Sequence, residues 1–62
     1  MTDFYVETRD GGYQVCITES FGFFRVTVYA IATEDTFSRE GVLTLHGAVA
    51  LAMGYILRME ER

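Results

Sequence analysis

The side chains that could do chemistry are few in this sequence, and they stand apart. His46 and Cys16 each occur once. A histidine acts as a general base or metal ligand only with partners to orient it or share the metal. No serine, aspartate or cysteine stands at a spacing that supplies one, so His46 reads as a first-turn helix residue. A reactive thiol needs positive neighbours or a helix N-terminus to lower its pKa. Cys16 sits in mid-strand without either and reads as a small, half-buried apolar residue. Asp10-Gly11-Gly12 has the composition of a phosphate loop, but such a loop works by delivering phosphate to a helix N-terminus. Here it joins strand to strand and reads as a hairpin turn. The carboxylate pairs Glu34-Asp35 and Glu60-Glu61 are sequence neighbours at exposed ends, whereas acid–base catalysis needs groups converging in a cleft. The expectation is a chain that binds and does not catalyse, with no metal and no cofactor.

The elements that position these residues follow from hydrophobic period. Thr2 to Arg9 alternates, with Phe4, Val6 and Thr8 on one face and Tyr5 and Glu7 on the other, as a half-buried strand does. Asp10-Gly11 is a two-residue turn signal, because a type I′ turn needs positive φ at both central residues. Tyr13 to Glu19 is the return strand. Placing Asp10 and Gly11 at the turn sets Val6 opposite Val15 and Phe4 opposite Ile17, so the apolar sets share a face. A three-residue loop would split them. Ser20-Phe21-Gly22 turns the chain again, and Phe23 to Ala32 is rich in β-branched and aromatic residues. Phe24, Val26, Val28 and Ala30 continue the inward face.

Residues 33–43 are polar and loop-like, with a bend at Gly41 and room for a short edge strand. Thr44 is the preferred N-cap of a helix from Leu45 to about Glu60, with Ser38 as the alternative cap. Leu45, Ala48, Val49, Ala52, Ile56 and Met59 form the stripe that would cover the sheet. Gly47 and Gly54 invite either close packing within the domain or approach of another helix. The predicted fold is α+β: a three-stranded antiparallel β-meander of order 1-2-3, packed on one face by a single C-terminal α-helix, as one βββα domain over residues 1–62.

A chain of 62 residues buries only about 60% of the surface it exposes when unfolded and is marginal alone. One cysteine excludes an intrachain disulfide, so good packing or a partner must supply the stability. The net charge of −4, with five arginines and no lysine, argues against direct binding of nucleic acid, which wants a basic patch. No signal peptide or membrane span is read, and a lone thiol fits a reducing compartment, so a cytoplasmic setting is expected. The absence of both lysine and asparagine, whose codons are AT-rich, points to the GC-rich genome of a bacterium or its phage.

Two surfaces stand out. The second sheet face should carry Tyr5, Phe23, Tyr29 and Ile31 beside Cys16, an apolar patch rimmed by charge, with the make-up of a protein contact. In a three-stranded meander, Asp10, Glu34, Asp35 and Glu40 would gather at one end, and Glu60 and Glu61 at the other, near Asp3 and Glu19. The length, acidity and layout of a few strands and a helix resemble phage-encoded anti-CRISPR inhibitors, with no shared motif. That resemblance implies a protein partner, a basic subunit of a CRISPR effector complex. Carboxylates of Asp10, Glu34, Asp35 and Glu40 would mimic phosphates there, with the aromatic patch as anchor. The alternative is a homodimeric bacterial regulatory or antitoxin-like module, joined through the apolar sheet face or the Gly47/Gly54 side of the helix.

Overall fold

Strands of alternating character pair so that their apolar sides coincide, and the first two hairpins follow that rule along most of their length. A computed structural model describes residues 2–7 and 11–61. It contains β1 (Thr2–Glu7), β2 (Tyr13–Ser20), β3 (Phe23–Ala30), β4 (Asp35–Val42) and α1 (Leu45–Glu60). The four strands form one antiparallel sheet in the order β1-β2-β3-β4. Phe4 pairs with Ile17 and Val6 with Val15, the expected register. Gly11 has φ +72°, as a turn of that kind needs, while Asp10 lies outside the described residues. Ile17 pairs with Val26 and Val15 with Val28 across the next hairpin. These residues share the face that α1 covers.

The sheet has a fourth strand where three were expected, and residues 35–42 are that strand and not a loop. The reason it escapes a pattern search is a register shift. Val28 pairs with Phe37, but Phe24 pairs with Val42, with an irregularity between Phe24 and Val26. Phe37 and Val42 are an odd number of residues apart, so strict alternation would send them to opposite faces. An extra residue in β4 restores both to the covered face. Gly41, at φ +71°, supplies the left-handed backbone that such a bulge uses. The remaining inward positions of β4 are Asp35 and Arg39, which are polar and exposed. A charged, bulged strand suits a sheet edge that must not recruit another strand.

The fourth strand also reverses the chain, so α1 starts beside the β2–β3 turn and runs back toward the β3–β4 turn. Thr44 is the cap: its Oγ1 accepts a hydrogen bond from the Gly47 N–H at 2.9 Å. A Cβ on Gly47 would lie 3.1 Å from Thr44 Oγ1 and 3.3 Å from Val42 Cγ1, so this glycine lets the cap seat against the end of β4. Ala48 and Ala52, one turn apart, bury against Ile17, Val26 and Val28. Partly buried Leu51, Tyr55 and Ile56 flank them. The expected stripe is therefore rotated: Leu51 and Tyr55 join it, while Leu45 and Val49 stay exposed. Tyr55 stacks on Phe37 of β4, with ring centroids 4.9 Å apart and planes at 15°.

Replacing Gly41 by alanine tests the bulge. No atom lies within 4 Å of the added Cβ, so the cost is conformational and should be about 1–2 kcal/mol in urea unfolding. Gly41→Asn should recover part of it, since asparagine tolerates that backbone. An unchanged unfolding midpoint for Gly41→Ala contradicts the bulge.

Candidate interaction surfaces

The open sheet face follows from parity. Tyr5 pairs with Cys16, which pairs with Thr27, and Glu7 pairs with Gln14, which pairs with Tyr29. Tyr5, Cys16 and Tyr29 thus stand together on the face away from the helix. The Tyr5 hydroxyl donates to Glu7 Oε1 at 2.9 Å, and Gln14 Nε2 donates to the same oxygen at 3.4 Å. The hydrogen bond to Glu7 pushes the Tyr5 phenol above its ordinary value, with desolvation and the Glu7 charge acting the same way. Thr27 and Ser38 hydroxyls lie 3.3 Å apart farther along. Ile31 is exposed in the β3–β4 turn, its N–H donating to the Gly12 carbonyl at 3.0 Å. Phe23 is on the open face too, but six residues before Tyr29, about 20 Å along the strand. The patch expected as one surface is two, separated by Thr18, Arg25 and Thr27.

The far end has its own aromatic group. Ser20 pairs with Phe23, so Phe21 and Gly22 are the two central residues of a hairpin, with φ +54° and +79°. Both positive values mark a type I′ turn, whose first central position favours asparagine or aspartate. A bulky aromatic residue there is an outlier. Phe21 is 96% exposed, so its ring gives back nothing to the fold. Phe21 and Phe23 border a shallow hollow beside Arg25 and Glu40. Arg25 Nη2 and Glu40 Oε1 form an exposed ion pair at 2.9 Å. Sequence reading missed Phe21. The signal was available in the parity that makes 21 and 22 a two-residue turn.

The acidic residues are redistributed by the fourth strand. Glu34 and Asp35 are exposed at the β3–β4 turn. Ala32, Thr33, Gly12, Met59 and Glu60 line one hollow, which puts the helix C-terminus at that same end. The expectation that Glu60 and Glu61 would lie near Asp3 and Glu19 is corrected: the extra strand turns the helix around. Glu40 belongs to the opposite end, paired with Arg25, and not with Glu34 and Asp35. Asp10 lies outside the described residues. Glu60 and Glu61 also oppose the helix macrodipole, which favours cations at a C-terminus, so helix stability does not explain them. Glu34 adds strain of its own at φ +60°.

No family model, curated protein or solved structure matches the chain. Among the described residues, no helix is long and apolar enough to cross a membrane.

Two measurements check these surfaces. Phe21→Asn should raise the unfolding free energy by about 1 kcal/mol, because asparagine relieves the left-handed strain and the exposed ring contributes no packing. Loss of stability would show that the ring packs in solution. In an NMR pH titration, Tyr5 should ionise above the ordinary tyrosine range and fall back toward it in Glu7→Ala; an unmoved Tyr5 in that variant contradicts the hydrogen bond.

Proposed function

We propose that this chain is a small protein-binding inhibitor, and that it acts by placing carboxylates where its target holds nucleic-acid phosphates. The target class that fits is a basic subunit of a CRISPR effector complex, so the reading is that of an anti-CRISPR protein. The observation that carries it is the convergence of Glu34, Asp35, Glu60 and Glu61 at one end of the molecule. Two of these oppose the helix macrodipole and one sits on strained backbone. Carboxylates that cost stability, gathered in one place, are supported by a demand outside the fold. A surface that replaces phosphates gains affinity by displacing the counterions and charges of a basic groove. Exposed Tyr5 and half-buried Tyr29 of the open face, with exposed Phe21, supply apolar anchors of the type enriched at contact centres.

The reading is tested with purified effector complexes and labelled target DNA in a mobility-shift assay. The protein should prevent DNA binding by a susceptible complex, and inhibition should weaken as salt rises. Joint replacement of Glu34, Asp35, Glu60 and Glu61 by lysine should abolish inhibition while leaving the melting temperature equal or higher, since the helix end then complements its dipole. Inhibition that survives the four replacements would remove the acidic end from the mechanism, and absence of inhibition across complexes of every type would remove the target class.

A further inference from the structure

The sheet is wider than its cover. Four strands about 4.8 Å apart span roughly 14 Å between their outer axes, enough for two helices at an interaxial distance of about 8–10 Å. The helix lies chiefly over β3, touches β4 and β2, and does not reach β1. Phe4 and Val6, on the covered face of β1, are consequently 40% and 59% exposed.

The helix has the matching defect. From Leu45 to Leu57 it contains no charged residue, and a helix apolar around its circumference belongs in an interior. The stack of Tyr55 on Phe37 fixes its rotation, with Leu51 and Tyr55 toward β4. At 100° per residue, Val49, Met53 and Leu57 then lie on the opposite flank, toward the vacant half of the sheet and outward. Met53 is 57% and Leu57 59% exposed. A Cβ on Gly54 would meet nothing within 4 Å, so close approach from outside is open there.

We infer that a second copy of this chain completes the layer: its helix lies over β1 of the first, and the first copy's helix lies over its β1. Each copy presents a floor without a helix and a helix flank without a floor. One two-fold operation satisfies both, as a self-complementary interface requires. The vacancy is one helix wide. Phe4, Val6, Leu45, Val49, Met53 and Leu57 are 37% to 59% exposed; at ordinary side-chain areas that is roughly 500 Å² per copy, and covering all of it gives about 1,000 Å² for the pair, the threshold for a specific interface. The patch holds no charge by which a charged partner would be selected. The two-fold axis runs roughly along the strands, so both acidic ends point the same way and both open sheet faces stay free. The dimer therefore does not depend on the inhibitor reading, and either stands if the other fails.

Sedimentation velocity at about 100 μM, a concentration suited to an interface of this modest area, gives the test. The wild-type chain should sediment at twice its 7.0 kDa mass. Met53→Glu and Leu57→Glu, both at exposed positions, should be monomeric with an unchanged far-ultraviolet circular dichroism spectrum, and Tyr5→Ala on the opposite face should remain dimeric. A wild-type monomer overturns the inference, and so does a monomer that floats with phosphatidylcholine vesicles, which would make a lipid surface the occupant. Folded glutamate variants that stay dimeric overturn it as well.

Discussion

One α-helix can cover about two strands of a sheet, and this sheet has four. That mismatch of widths governs the rest of the structure. The helix settles where burial is greatest, over β3, with Ala48 and Ala52 low against Ile17, Val26 and Val28. Among the described residues, only Val26 and Val28 of the larger side chains are completely buried. Burying such a side chain is worth about 1.5–3 kcal/mol, so so small a core leaves little margin over conformational entropy. What the helix cannot reach, β1, keeps its apolar face exposed.

The fourth strand has a second consequence, which is directional. With three strands, the helix would start at the β3–β4 end of the sheet and run away from it. With four, it starts at the opposite end and returns. A single added strand thus moves Glu60 and Glu61 from one pole of the molecule to the other. The result is a polarised particle, 34 × 17 × 17 Å in extent, with Glu34, Asp35, Glu60 and Glu61 at one pole and Phe21, Phe23 and Leu43, beside the Arg25–Glu40 ion pair, at the other. The two poles differ in chemistry and lie too far apart to act as one small site.

Much of this was legible in the residues. The first hairpin register follows from keeping Val6 and Phe4 on the side of Val15 and Ile17, and Thr44 identifies itself as a cap. β4 was hidden because its inward positions are Asp35, Phe37, Arg39 and Val42: two are charged, and the bulge at Gly41 breaks the period between the other two. Edge strands resist pattern reading for the same reason that they resist aggregation. The acidic pole was misplaced because it inherits the strand count. Phe21 was passed over because turn chemistry names asparagine and glycine for that position, and an aromatic residue there reads as incidental until its backbone and exposure are known.

The uncovered strip of sheet and the apolar flank of the helix are two halves of one interior, and their meeting can be observed directly. Mixing carbon-13-labelled with unlabelled protein and recording isotope-filtered nuclear Overhauser spectra isolates contacts between copies. Cross-peaks between the Met53 methyl of one copy and the Phe4 ring of the other are expected. A spectrum in which those protons show neighbours only within their own chain, or none at all, contradicts the shared layer.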